Sequence, residues 1–178
     1  MTLLDALRGG VLVFVAAILQ VSIFAGVVIF GGTPDLVLVT LICVALLRGS
    51  IYGAVAGFAA GLVVDVATLS TLGVTSLLLA LAGYWIGRYG ETTGRDRGHA
   101  PFLSVSIVTA LYAAGALVLH FLLNEPAPAK RVLLETLFQG IALNLLLTVP
   151  VYLFVRWALR PAISRPERPP GSEVPLVV

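Results

Sequence analysis

Residues 34–65, PDLVLVTLICVALLRGSIYGAVAGFAAGLVVD, decide the fold of this chain, because Arg48 and Gly49 divide this apolar run into two short helices. Three glycines recur in its second half at a spacing of four residues: Gly53, Gly57 and Gly61. A four-residue step turns an α-helix by about 400°, which is only about 40° more than one full turn, so these glycines lie along one side of the helix. We call this row, which ends at Asp65, the glycine stripe. Lipid provides no hydrophobic drive between helices, and small residues let helices pack closely instead. The stretch therefore predicts closely packed helices in a membrane protein.

The composition of the whole chain also indicates a membrane protein. Of its 178 residues, 59% are hydrophobic and 11% are charged, and the mean hydropathy is +1.05. Soluble domains carry about 25% charged residues. Residues 9–34, 66–87 and 136–155 are free of charge, and each run is long enough for the roughly 20 helical residues that cross a bilayer.

Breaks between apolar runs predict an all-α, polytopic fold with six transmembrane helices. The predicted helices lie at about residues 10–29, 34–48, 51–65 or a little beyond, 74–88, 101–123 and 132–157, after a short polar lead at residues 1–8. Residues 91–99 and 124–131 are predicted to be polar loops. The second and third helices are shorter than a comfortable span, so a single re-entrant hairpin is the alternative for them. Residues 1–160 form the predicted membrane domain, and the proline-rich residues 161–178 form a disordered cytoplasmic tail.

The distribution of basic residues predicts the orientation. If the amino terminus is cytoplasmic, six helices leave only Lys130 and Arg131 outside. The other nine basic residues are then inside: Arg8, Arg48, Arg88, Arg95, Arg97, Arg156, Arg160, Arg165 and Arg168. Cytoplasmic loops carry such an excess of basic residues, so both termini are predicted to be cytoplasmic. Because these residues act as membrane anchors, the pI near 9.0 does not indicate nucleic-acid binding.

The sequence carries few residues suited to catalysis or metal binding. Its one cysteine, Cys43, lies in an apolar helix, and its two histidines are far apart in the predicted topology. We find no nucleotide-binding loop and no nucleophile with a base at a recognisable spacing. We therefore predict a protein that is not an enzyme, with no metal and no cofactor.

Five polar residues are candidates for interface or structural roles. Asp35, Arg48 and Asp65 lie near predicted helix ends, where each is either an anchor or a contact to a partner. Asp35 is expected to start its helix, and Asp65 is either a solvated helix end or an interface residue. Gln139 and Asn144 lie deeper, in the sixth helix. Both are expected to make interhelical hydrogen bonds, with contact to a substrate as the alternative.

These motifs together resemble the rod shape-determining protein MreD family of bacteria. The resemblance covers about residues 8–158 and rests on Pro34-Asp35-Leu36, Arg48-Gly49, the glycine stripe with Asp65, Leu72-Gly73 and Gly83-Tyr84. Substrate-binding S-components of energy-coupling-factor vitamin transporters are similar in length, in helix number and in a glycine-rich stretch that ends in Asp. A transporter subunit of that kind is therefore the alternative function.

The MreD resemblance implies a non-enzymatic, multi-pass scaffold protein in the bacterial cytoplasmic membrane. It would belong to the complex that builds lateral peptidoglycan. Its implied partners are MreC, a protein with one transmembrane helix and a periplasmic domain, the RodA glycosyltransferase with its penicillin-binding partner, and, indirectly, the MreB filament. Membrane lipid is also implied. The fold would be similar to an S-component, with the glycine stripe packing inside the protein and an apolar outer face receiving the partner helix.

Overall fold

A computed structural model describes residues 3–23, 32–69, 71–93, 100–122 and 130–159. These residues form six helices and no β-strand: α1 (Leu3–Ser22), α2 (Leu36–Arg48), α3 (Ser50–Thr68), α4 (Val74–Thr93), α5 (Ala100–Leu122) and α6 (Lys130–Ala158). The predicted all-α fold with six helices is confirmed. The predicted tail at residues 161–178 lies outside the described residues.

Helix α2 is the centre of the bundle and contacts each of the other five helices. Every residue from 37 to 46 is buried, including Thr40 and Cys43. A helix that is apolar on all sides has no face suited to water and is buried either by lipid or by other helices. The sequence LVLVTLICVALL is of this kind, and in the structure other helices surround it.

Bulky apolar side chains cover the outside of the bundle. They include Phe14 on α1, Ile51 on α3, Phe121 on α5 and Phe138 on α6, all at least half exposed. Soluble monomers rarely expose contiguous apolar patches larger than a few hundred Å². This surface is compatible with a protein whose outer faces contact lipid.

Two helical segments in the described part of the chain are long and apolar enough to cross a membrane, Ser50–Thr68 and Phe138–Ala158. The apolar segments Leu7–Ser22, Leu36–Arg48 and Pro101–Gly115 are shorter. Six complete crossings therefore stay a prediction. Helix α3 ends at Thr68, a little beyond Asp65 as predicted, but the expectation that it is shorter than a comfortable span was wrong, because its 19 residues are enough to cross a membrane.

Three predicted non-helical segments are partly helical. Residues 3–8 belong to α1 instead of a polar lead, since Leu, Ala and Arg are good helix formers. Glu91 to Thr93 extend α4 into the predicted loop, where Glu91 bonds to the start of α3. Lys130 and Arg131 begin α6, and both are also good helix formers.

The helices bring four arginines to one end of the bundle, here called the arginine end. Close contacts there join Gly9 to Tyr52, and Gly87 to the turn at Gly49. Leu12 on α1 also shares a surface groove with Trp157 on α6. The arginines beside these contacts are Arg8, Arg48, Arg88 and Arg156. The opposite end holds Asp35 and Asp65, so the two ends of the bundle differ in charge.

Candidate functional site

The glycine stripe of α3 packs directly on the backbone of α4. A β-carbon at Gly53 would overlap the carbonyl oxygen of Gly83, and one at Gly57 would overlap that of Leu79. A β-carbon at Gly61 would overlap the backbone of Ser76. Only glycine fits at these three positions, because a helix backbone cannot move aside as a flexible side chain can.

Helix α4 presents its own glycines to the same contact. A β-carbon at Gly83 would overlap the backbone of Gly53, and one at Gly87 would overlap that of Gly49. Gly90 approaches α2 in the same way, at the carbonyl group of Leu46. The close contact therefore extends over most of α3 and α4, and glycine is needed on both helices.

Asp65 joins the far end of α3 to the beginning of α4. Its side chain is completely buried and accepts hydrogen bonds from the backbone N–H groups of Gly73, at 2.9 Å, Thr75, at 3.2 Å, and Ser76, at 3.3 Å. The Ser76 hydroxyl donates a fourth bond. The first N–H groups of a helix have no partner within it, and a carboxylate there also interacts favourably with the helix dipole. Asp65 thus caps α4 from another helix, and of the two alternatives that the sequence left open for it, the solvated helix end is excluded.

Glu91 makes the reciprocal connection at the arginine end. Its carboxylate accepts hydrogen bonds from the backbone N–H of Ser50, at 2.8 Å, and from the Ser50 hydroxyl, at 3.0 Å. Arg88 lies 3.5 Å from the same carboxylate. The bonds from Ser50, and secondarily Arg88, lower the pKa of Glu91 below its usual value. Glu91 therefore caps α3 in its ionised form, just as Asp65 caps α4.

The turn that Glu91 holds depends on the conformation of Gly49. This residue alone separates α2 from α3, and its φ of 103° lies in a region that glycine adopts readily. A β-carbon at Gly49 would also lie 2.5 Å from the Glu91 carboxylate. The direct connection between the two helices thus requires glycine for its backbone angle, and a side chain there would displace the Glu91 carboxylate.

Asp35 and Asn144 join three helices at the other end of the bundle. The Asp35 side chain accepts a bond from the Leu38 N–H at 2.9 Å and so caps α2, the role that sequence predicts. The backbone N–H of Asp35 donates to the Asn144 side chain on α6 at 2.8 Å. Asn144 in turn donates to the Thr109 hydroxyl on α5. These bonds satisfy buried polar groups and fix the start of α2 against α5 and α6.

Gln20 adds α1 to the same junction. Its side-chain oxygen accepts a bond from the Leu36 N–H at 2.7 Å, and its amide nitrogen donates to the Pro34 carbonyl at 3.2 Å. Because both partners flank Asp35, the first residues of α2 bond to α1 as well as to α5 and α6. We call these contacts, made by Gln20, Asp35, Thr109 and Asn144, the α2 junction.

The two other predicted polar residues lie apart from these contacts. Arg48 is half-buried at the end of α2, near the ring of Tyr52. Gln139 is half-buried on α6 beside Gly32, where an added β-carbon would lie 2.9 Å from that of Gln139. No group of three His, Cys, Asp or Glu side chains in the described ranges could hold a metal ion.

Two surface grooves of about 490 Å³ flank α1. The first lies between α1 and α3 and is almost entirely apolar. Its lining includes Gly10, Val11 and Phe14 from α1, and Val55, Ala56 and Ala59 from α3. The second lies between α1 and α6 at the arginine end. Its lining is Leu7, Arg8, Val11, Leu12, Trp157 and Ala158.

Comparison with known families decides between the two functions that the sequence left open. The family model for rod shape-determining protein MreD matches residues 2–158. The chain belongs to the MreD family. Comparisons with curated proteins and with solved structures found no match.

Membership in the MreD family assigns the chain a role in the determination of rod shape. It also favours a membrane-associated structural protein over the transporter subunit that was the alternative. The match covers all six helices, and the part of the chain beyond residue 158 lies outside it. The contacts described above therefore belong to the matched region.

Sequence reasoning missed two groups of residues that hold this MreD family member together. Gly83 entered the sequence analysis only as part of the family resemblance, and Gly87 and Gly90 were not considered. The spacing of these three glycines, four and three residues, places them on one side of a helix and is the signal that could have revealed their packing role. Glu91 was assigned to a loop, and only the packing of α4 on α3 brings it to Ser50.

Proposed function

We propose that this chain is a multi-pass, non-enzymatic scaffold that binds MreC in the complex that synthesises lateral peptidoglycan. Family membership supports a role in cell shape. The structural support is that the glycine stripe and the buried polar groups contact other parts of the same chain. These residues hold the helices in place, which leaves the outer apolar faces for partners.

The observation that carries the proposal is the apolar groove between α1 and α3. Gly10, Ala56 and Ala59 in its lining have small side chains, while Val11 and Val55 provide apolar contact area. In a bilayer, helices associate through van der Waals packing, and small residues increase it by allowing close backbone approach. We therefore assign the groove to the single transmembrane helix of MreC, since an apolar helix matches its lining.

The charge difference between the two ends gives the proposed orientation. We place the arginine end at the cytoplasmic face, since basic residues concentrate there. The end with Asp35 and Asp65 then faces the periplasm, where the MreC domain resides. RodA and its penicillin-binding partner would join through MreC or the remaining outer faces, and MreB would be linked indirectly.

Co-purification with MreC from bacterial membranes tests the proposal. In the variant Ala59→Leu, a bulky side chain fills the groove, whereas Ala142→Leu makes the same change at an exposed position on α6. We expect the parent chain and Ala142→Leu to retain MreC, and Ala59→Leu to retain at least about tenfold less, the effect of a loss of about 1.4 kcal/mol. Membrane abundance and thermal stability are measured for all three proteins.

The two parts of the proposal can fail separately. If MreC does not co-purify with the parent chain, the scaffold function is wrong. If MreC co-purifies equally with the parent and with Ala59→Leu, MreC binding stands and the groove between α1 and α3 is not its site.

A further inference from the structure

The groove between α1 and α6 contains a charge that the groove between α1 and α3 lacks. Arg8 lines it and is exposed, while Val11 and Leu12 extend its apolar wall along α1. Trp157 forms the opposite wall and is 67% exposed. The groove therefore combines a cationic rim, an aromatic side and an apolar wall.

The charges around this groove favour an anion. Arg156 precedes Trp157 on α6 and is exposed, and the described lining includes no carboxylate. Glu91, the acidic side chain described at this end, already accepts bonds from Ser50 and lies beside Arg88. Arg8 and Arg156 thus place positive charge beside the mouth of an apolar groove.

We propose that the groove between α1 and α6 binds an anionic phospholipid, with the lipid phosphate at Arg8 and an acyl chain along Val11, Leu12 and Trp157. A guanidinium group matches the oxygens of a phosphate and can donate two hydrogen bonds at once. Tryptophan is enriched at the level of the lipid headgroups. Basic pockets between transmembrane helices on the cytoplasmic side are known to hold anionic headgroups.

A lipid explains this groove better than a partner helix does. An apolar helix seated between Leu12 and Trp157 would cover Arg8, and a charged side chain without water or a counter-ion is strongly destabilising. A lipid leaves the charge at the headgroup level and supplies its counter-ion. The inference does not require MreC binding, which we assign to the groove between α1 and α3, although Leu7 and Val11 line both grooves.

Fluorescence quenching in vesicles tests this inference on the full-length protein. The chain has two tryptophans, so Trp85→Phe leaves Trp157 as the only reporter. The protein is reconstituted into phosphatidylcholine vesicles with a small, fixed fraction of brominated phosphatidylglycerol or of brominated phosphatidylcholine. We expect the anionic lipid to associate with the Trp157 site about fivefold more strongly, the contribution of one basic residue near an anionic surface.

Two arginine variants in the Trp85→Phe background distinguish a specific lipid site at Arg8 from a general effect of surface charge. Arg8→Gln should reduce the preference to about one, while Arg88→Gln should retain it. Arg88 is at the same end and 61% exposed, but does not line the groove. As a reporter control, Trp85 in a Trp157→Phe protein should show no preference.

Three results would overturn the lipid site. They are equal association of both lipids with Trp157, an unchanged preference in Arg8→Gln, and an equal loss of preference in both arginine variants. The comparison of the two lipids in the Trp85→Phe protein needs no arginine variant, so it tests the inference even if Arg8→Gln does not fold.

Discussion

Single residues in this protein stabilise helices to which they do not belong. Asp65 on α3 caps α4, Glu91 on α4 caps α3, and the Asn144 side chain on α6 accepts from the backbone of Asp35 at the start of α2. Each bond satisfies a backbone N–H group that its own helix leaves unpaired. Asp65 and Asn144 are buried away from water, so their bonds matter more than they would at a surface in water.

Asp65→Asn should destabilise the protein, whereas Asp35→Asn should have little effect. The Asp65 carboxylate accepts three backbone bonds and one hydroxyl bond, and an amide would turn one acceptor oxygen into a donor that faces other donors. We expect a loss of about 1.5–3 kcal/mol. Asp35 accepts only from N–H groups at the start of its own helix, chiefly that of Leu38, and asparagine is an equally good residue at this position. Thermal unfolding and membrane abundance give the comparison, with MreC binding measured separately.

The outcomes distinguish structure from interface at both positions. Normal abundance with lost MreC binding would make Asp65 an interface residue. Equal stability of Asp65→Asn and the parent would show that its cap contributes nothing.

Glu91 should make stability depend on pH at the arginine end. Its folded-state pKa lies below the usual 4.5, so its stabilising contribution is complete above that value and is lost as the pH falls through the lowered pKa. We expect the difference in melting temperature between the parent and Glu91→Gln to stay constant from neutral pH to about pH 5 and then to shrink. A difference that grows on acidification, or is absent at pH 7, would contradict the role of ionised Glu91.

At the scale of elements, α3 and α4 form one unit in which each helix caps the other, one cap at each end of their contact. The glycines of α3 contact α4 along their length, Asp65 caps one end and Glu91 caps the other. The opposite face of α3 exposes Ile51, Val55 and other apolar side chains. One helix therefore combines a face for internal packing with a face for lipid or a partner.

Gly57→Ala and Gly140→Ala should change stability in opposite directions. The added methyl group at Gly57 would overlap the α4 backbone at Leu79, while the one at Gly140 would meet nothing within 4 Å. Overpacking typically destabilises by about 1–3 kcal/mol, and alanine in place of an unrestrained helical glycine stabilises by up to about 1 kcal/mol. Gly57→Leu should abolish folding. Melting temperatures in detergent are the measurement, and an unaltered Gly57→Ala would show that α3 and α4 do not pack closely.

At the scale of the molecule, arginines lie at one end of the bundle, and Asp35 and Asp65 lie at the other. The short helix α2 runs from Asp35 at one end to Arg48 at the other, and its 13 residues span only about 20 Å. That length is below the roughly 30 Å of a typical hydrocarbon core. Local bilayer thinning or enclosure by longer helices would accommodate it.

The proposed topology predicts which positions are accessible from each side of the membrane. Single cysteines at Thr93 and Ser172, introduced in a Cys43→Ala background, should react only from the cytoplasm, and one at Ala127 only from the periplasm. The reason is the concentration of nine of the eleven basic residues on one side. Labelling of intact cells with a membrane-impermeant thiol reagent gives the measurement. Labelling of Thr93 and Ala127 from the same side would rule out six crossings.

The sequence by itself determined the class, the family and the helix number. Apolar runs, charged breaks and the four-residue spacing of Gly53, Gly57 and Gly61 are local patterns, and each is readable without knowledge of neighbours. Only the tertiary structure decided what these patterns contact: Gly83 and Gly87 opposite the glycine stripe, Asp65 on α4, and Glu91 on α3. It also revealed the groove between Arg8 and Trp157, which lie on the first and last helices. The physical reason is that a cap, a close backbone contact or a groove requires two distant segments to meet, and their pairing depends on the packing of all helices around α2.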